Sequence, residues 1–254
     1  MPAAYSERLP EPALRDVARC VWVTRGGLGP VVPDGWTDVL WDGERLSVAG
    51  PDTHWWLPTA PASGRVVGVR LRPGCGPAVL GVPASALLDQ RPDLDRLWGR
   101  LDRWTDALAA VGGAAAEAAV LQRLVLDRRA AWQEPDRPVL AAVAGARRWR
   151  GPGLVRTLSA ATGIGERQLL RRFDSAVGYG PKRLHRVLRF QEFLGVLAAA
   201  PDADLAQAAE AVGYADQPHL TRDAVEFSGR TPAQLRARAS RVHVPDVRSV
   251  QDRA

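Results

Sequence analysis

Apolar positions recur at helical spacing twice between Leu154 and Arg238, with the same punctuation each time. The first copy, VRTLSAATGIGERQLLRRF, runs from Val155 to Phe173, and the second, LAQAAEAVGYADQPHLTRDA, from Leu205 to Ala224. Set side by side, Val155, Leu158, Ser159, Thr162, Gly163 and Ile164 fall on Leu205, Ala208, Ala209, Val212, Gly213 and Tyr214. After one extra turn residue, Leu169 and Arg171 fall on Leu220 and Arg222. Each copy predicts a short helix, a Gly that ends it, an apolar residue and a second helix. That is the pattern of a helix-turn-helix, whose second helix enters the DNA major groove. Leu158, Ile164, Leu169, Phe173, Leu205, Tyr214 and Leu220 take core positions by this spacing.

Between the copies, Pro181 to Ala199 contains no breaker except Gly195, and Pro suits a first helical turn. Leu184, Val187, Leu188, Leu194 and Leu197 form its apolar stripe, while Lys182, Arg183, Arg186, Arg189 and Glu192 lie mostly off it. At ~1.5 Å per residue this helix is roughly 28 Å long. Such a rod can hold two recognition helices about one DNA turn, ~34 Å, apart.

The pattern before residue 135 is different. CVWVT, PVVP, TDVLW, RLSVAG, HWWLP and RVVGVRLRP read as short strands divided by Gly, Pro and Asp turns. Strands of that length and spacing predict a small barrel or jelly roll. From Pro77 to Arg129 the period turns helical, and QEPDRP at 133–138 is the predicted domain boundary. The expected fold class is α+β, in four parts: a β-rich barrel-like sensor domain (1–90), a helical linker (91–134), an all-α tandem helix-turn-helix domain (135–240) and an unpatterned tail (241–254).

Charge sharpens this division. Residues 1–134 hold 15 Lys and Arg against 16 Asp and Glu, and residues 135–254 hold 19 against 12, which accounts for the net +6. The basic excess thus falls on the half already expected to meet DNA. Cys20 and Cys75 have neither metal-like nor redox-like spacing, so a reduced, cytoplasmic setting is expected. The N-terminus has no apolar signal core, and Glu117 interrupts the Ala-rich run, so no membrane segment is predicted. The β-rich region offers only His54 as an imidazole ligand, against the several clustered His and carboxylates of a metal enzyme. No Ser-His-Asp, Cys-His or phosphate-loop arrangement stands out. No catalytic residue, metal or cofactor is assigned.

GERQLLRRF followed by GYGPKRLHRVLRFQ, and AVGYADQPHLTR followed by SGRTPAQLR, resemble the AraC/XylS family of bacterial transcription regulators over roughly Arg137 to Ala239. The chain departs from the family pattern at Ala224, where a core Phe is expected; Phe227 stands three residues on. The resemblance implies a transcription regulator, with double-stranded promoter DNA as partner and RNA polymerase as well if it activates. It also implies a possible homodimer, for which Leu94, Leu97, Leu101, Leu108, Leu121 and Leu124 are candidate contacts if exposed, with packing inside the chain the simpler explanation. VPDGWTDVLWDG and GVRLRPGCGPAVLGVPASAL look like a sensor domain of such regulators, many of which carry a cupin-like barrel. That implies a small-molecule effector on the N-terminal half.

For base readout the first copy offers Arg167 and Arg171, an i,i+4 pair, since Arg bonds guanine O6 and N7 in bidentate fashion. Leu170 beside them suits a thymine methyl, and Arg172 flanks the face as a phosphate contact. In the second copy Gln217, Thr221 and Arg222 are the counterparts. For each Arg the alternative is a phosphate contact that positions without specifying. For the effector the candidates are Trp22, Trp36, Trp41, Trp56 and Arg70. Those Trp residues serve equally well as ordinary core, and Arg70 equally well as the ion-pair partner of Asp34 or Asp38. Two other readings stay open: a cupin-like enzyme tethered to nucleic acid, and a DNA binder that needs no ligand. His185, His219 and His243 are scattered and carry no predicted site.

Overall fold

A row of valines crosses the sheet of the N-terminal half. The computed structural model describes residues 4–26, 29–59 and 63–239, so His243 and the tail lie outside the described residues. Strands β1 (Ala4–Arg8), β2 (Ala18–Arg25), β3 (Thr37–Trp41), β4 (Leu46–Ala49) and β5 (Arg65–Leu71) form one antiparallel sheet in the order β1-β2-β5-β3-β4. In register, Val21 faces Val69, Val69 faces Val39, and Val39 faces Val48. All four are fully buried on one face. β-branched residues stacked across strands are what fixes such a register, because a one-residue slip would turn them to the other side.

The sheet is open, which corrects the expected barrel. β1 and β4 are its two edges and do not pair with each other. The β4 edge is instead covered by the segment at 90–94, where Val48 N donates to Pro92 O (3.0 Å) and Leu94 N to Leu46 O (2.9 Å). Two predicted strands, PVVP and HWWLP, supply only an isolated bridge between Val31 and Trp56. Alternating short apolar runs look alike in an open sheet and a barrel; closure is a long-range pairing that periodicity does not encode.

Short helices α1 (Gly76–Leu80), α2 (Asp95–Trp98) and α3 (Asp102–Ala110) lead to α4 (Ala114–Asp127). Ala118, Leu121, Leu124 and Val125 of α4 join the valine row in a single core. The leucines considered for a dimer contact pack into that core, Leu97 partly and the others fully buried. Glu117, the charge that breaks the Ala-rich run, is buried against the sheet and receives Arg65 of β5 at 2.8 and 2.5 Å.

The second half is all helix: α5 (Arg137–Arg148), α6 (Leu154–Thr162), α7 (Glu166–Val177), α8 (Pro181–Ala199), α9 (Leu205–Ala211), α10 (Gln217–Ser228) and α11 (Pro232–Ala239). Here α8 is the shared rod. Its Leu184 and Leu188 enter one core with α5, α6 and α7, while Val187, Phe190, Phe193 and Leu197 enter another with α9 and α10. The N-terminal half touches both, through Leu88 on the first core and Val32 on the second. No described helix is long and apolar enough to cross a membrane.

Candidate nucleic-acid interface

Each half of the repeat folds into two helices around a left-handed glycine. α6 ends at Gly163 (φ 68°), Ile164 turns inward, and α7 begins after Gly165. Leu158, Ile164, Leu169 and Phe173 bury themselves against α5 and α8. The opposite face of α7 is left to solvent. Glu166, Arg167, Gln168, Leu170 and Arg171 are exposed there, Leu170 to 41%. Arg167 and Arg171 line one shallow depression with Gln168, and neither makes a hydrogen bond or ion pair among the described residues.

Arg172 is placed differently. Its guanidinium grips Asp136 in bidentate fashion at 2.6 and 2.7 Å. The hydrogen bond from Arg172 holds the Asp136 carboxyl below the usual carboxylate range. Asp136 also caps α5 by accepting from Val139 N (3.2 Å). One carboxylate at the domain boundary therefore starts α5 and fixes α7 against it.

The second copy has better caps. Asp204 accepts from Ala206 N and Gln207 N at 2.8 and 3.0 Å to start α9. Asp216 accepts from His219 N at 2.6 Å to start α10, with Pro218 in the first turn. Gly213 (φ 85°) makes the turn and Tyr214 is buried. Ala224 leaves the space of a large side chain, and Phe227 fills it, fully buried with its ring 5.7 Å from that of Phe190. Outward, Gln217 and Arg222 are exposed and Thr221 is half-buried, its hydroxyl donating back to Gln217 O. Val225 is 48% exposed on the same side.

What the sequence did not single out is how α10 is held. Asp223 faces inward at 1% exposure and receives Arg186 at 2.7 Å and Arg189 at 3.0 Å, both from α8. Glu226 receives Arg183 and Arg186 at 3.0 and 2.5 Å. These α8 arginines are anchors for α10. The available signal was Asp223 itself, a carboxylate on the helix face otherwise made of Leu220, Ala224 and Phe227. Two histidines are structural: His185 shares a hydrogen bond with Ala146 O, and His219 lies edge-on to Tyr214 with its Nε2 2.8 Å from Arg189.

The N-terminal candidates do not gather in one place. Trp41 is 2% exposed within the main core. Trp22 is buried on the other sheet face, donates to Asp38 at 2.8 Å and stacks on Tyr5. Trp56 lies under Arg91, whose guanidinium is 4.3 Å from the ring centre. Arg70 lies over the Trp22 ring, 5.8 Å from its centre, and with Trp36 it lines a cleft of about 400 Å³ between the two halves. Arg70 is itself ion-paired there with Asp38 (3.1 Å), Asp34 (3.6 Å) and Glu7 (3.7 Å). Burial pushes the Asp34 carboxyl up to about 6 despite Arg70.

Two other arginines line the cleft without a hydrogen bond or ion pair among the described residues: Arg19 and Arg147. Arg19 is the extra residue of a bulge where β2 loses register with β5, the kind of irregularity that re-aims a side chain. Arg147 comes from the end of α5. Burial and the nearby Arg19 charge lower its pKa, against the opposing pull of the Glu192 carboxylate. Leu188, Val196 and Val212 supply an apolar wall. Neither arginine stood out in the sequence, because the halves that carry them meet only in the fold.

Comparison with known proteins accounts for both halves. Residues 158–238 match the family described as helix-turn-helix domain, and residues 6–93 match a domain of unknown function, DUF6597. The chain thus joins an AraC-type helix-turn-helix domain to a DUF6597 domain. Among solved structures it is similar to ToxT from Vibrio cholerae O395, at 11% identity and a TM-score of 0.43, covering 87% of this chain and 97% of that one. It is also similar to an apo ToxT variant from Vibrio cholerae strain SCE256, at 10% identity and a TM-score of 0.41, covering 92% and 96%. No curated protein matches the chain.

Proposed function

We propose that this chain is a sequence-specific regulator of transcription that reads promoter DNA with α7 and α10 and is controlled by a small organic anion. The observation that carries the reading is the pair of outward helix faces. Arg167, Leu170 and Arg171 on one, and Gln217, Thr221 and Arg222 on the other, are turned away from the packing contacts that hold both helices. Arg172 belongs to the scaffold of the first motif in this account. The protein works by binding energy and performs no chemistry; it acts in the cytoplasm, and RNA polymerase is its further partner when it activates.

The effector site in this reading is the interdomain cleft. Two half-buried guanidiniums of like charge, neither in an ion pair though the Glu192 carboxylate partly offsets the charge on Arg147, stand where a bound carboxylate or phosphate would find a cationic partner. The apolar wall beside them suits the body of such a molecule. An enzyme in the same half would need a nucleophile or ligand cluster, and the cleft offers arginines and ion-paired carboxylates instead.

The test is fluorescence anisotropy on the chain's own upstream region against scrambled duplex, at two salt concentrations. Wild type is expected to bind the upstream duplex selectively, and Arg167→Ala with Arg171→Ala to lose that selectivity, at ~1–3 kcal/mol for each bidentate base contact. Equal binding to both duplexes that salt abolishes would leave only a nonspecific basic surface.

A further inference from the structure

We infer that the N-terminal segment Pro51–Trp55 is a brace that sets the spacing of the two recognition helices, with Trp55 as its positioning residue. This inference rests on the DNA-reading role given to α7 and α10 above. Each recognition helix ends in a left-handed glycine, Gly178 (φ 94°) for α7 and Gly229 (φ 65°) for α10. Both glycines lie against this one segment. A Cβ on Gly178 would sit 2.6 Å from Pro51 Cγ and 3.3 Å from Ala84 O. A Cβ on Gly229 would sit 2.4 Å from Nε1 of the Trp55 indole. Pro51 and Trp55 are four residues apart, a backbone reach of at most ~14 Å. The segment therefore ties the two helix ends to each other across that short distance.

Its middle is fastened as well. The Thr53 carbonyl accepts from Arg183 of α8 at 2.6 Å, and Arg183 continues to Glu226 of α10. On its other side the segment is fixed to its own half. Asp52 holds Arg91 through both oxygens at 2.7 Å, and Thr53 binds Asp89 through its N–H and its hydroxyl, each at 2.7 Å. Asp89 has φ 56°, a left-handed conformation rare outside glycine, which survives where neighbouring contacts over-determine it. Trp55 is 40% exposed, so its indole serves the Gly229 contact more than the stability of the N-terminal core. A segment so fixed at both sides transmits the geometry of the N-terminal half to the distance and angle between two readers of DNA.

Two linked readers gain roughly 10²–10⁴-fold over one only when their geometry fits both sites, and lose the gain when it does not. The experiment selects duplexes from a random pool with wild-type protein, then measures binding to the two-part site, to each half alone, and to the site with one base pair inserted. Trp55→Ala is expected to bind each half within about twofold of wild type. It should lose about tenfold on the two-part site and no longer discriminate against the insertion. Trp55→Phe, which keeps a flat ring over Gly229, should restore both. A Trp55→Ala protein with wild-type affinity and spacing preference overturns the brace, and so does equal loss on the isolated halves. If wild type selects no two-part sequence at all, the DNA-reading role fails first and the brace with it.

Discussion

Removing the Asp223 carboxylate tests the reasoning about α10 most sharply. Asp223 is 1% exposed and accepts from Arg186 and Arg189 of α8. In Asp223→Ala, Arg186 keeps Glu226, but Arg189, whose side chain is only 8% exposed, loses its one acidic partner among the described residues. Breaking a buried pair from one side costs about 3–5 kcal/mol, because an uncompensated charge stays behind. For a chain of this size each kcal/mol moves Tm by roughly 2–4 °C, so the expected fall is roughly 6–20 °C. The assay is thermal unfolding by circular dichroism at neutral pH, with hydrogen exchange of α10 amides as a local probe. The double change Asp223→Leu with Arg189→Met should recover most of the loss, since an apolar pair of similar volume can replace a buried ion pair. A Tm within about 2 °C of wild type for Asp223→Ala, corresponding to under about 1 kcal/mol, would refute the anchoring role.

Phe227→Ala should cost about 3–5 kcal/mol, because the fully buried ring fills the space that Ala224 leaves; urea unfolding measures it, and a cost below about 1 kcal/mol would show the second motif to be loosely packed. The depressed pKa of Asp136 means that its bond to Arg172 contributes stability above the unfolded carboxylate value of ~4 and loses it as pH falls through the lower folded value. Arg172→Ala should therefore remove part of the acid-induced destabilisation below pH ~4, and an unchanged acid profile would contradict the pairing. Asp34 has the opposite sign: with its pKa raised from 3.8 to about 6, the folded protein loses stability as pH rises across that window. Asp34→Asn should flatten this limb and raise Tm at pH 7.5, and a lower Tm there would show that the Arg70 ion pair outweighs the burial cost.

The helical half was legible because its information is local. Periodicity placed Pro181–Ala199 on the observed bounds of α8, and the glycine punctuation marked Gly163 and Gly213 as turns. Phe227 could be nominated to replace a missing core Phe because i and i+3 share a helix face. The N-terminal half was less legible, since an open sheet and a barrel differ only in whether β1 meets β4. The strand β1 itself, AYSER, has too few apolar positions to announce a strand. The tryptophans were ambiguous for a related reason: Trp22, Trp41 and Trp56 share a sequence neighbourhood yet point to three environments on two sheet faces and a loop. Arg19, Arg147 and Trp55 act across the junction between halves, and a chain read in order contains no signal for that.

The most direct measurement of the central claim is hydroxyl-radical footprinting of the protein on its own upstream DNA. Two readers held by one helix of ~28 Å should protect two short stretches on the same face of the duplex, centred about one helical turn, ~10 base pairs, apart. Arg167→Ala with Arg171→Ala should erase one stretch and leave the other. A single continuous or position-independent protection, unchanged in the double variant, would contradict the assignment of α7 and α10 as the pair that reads sequence.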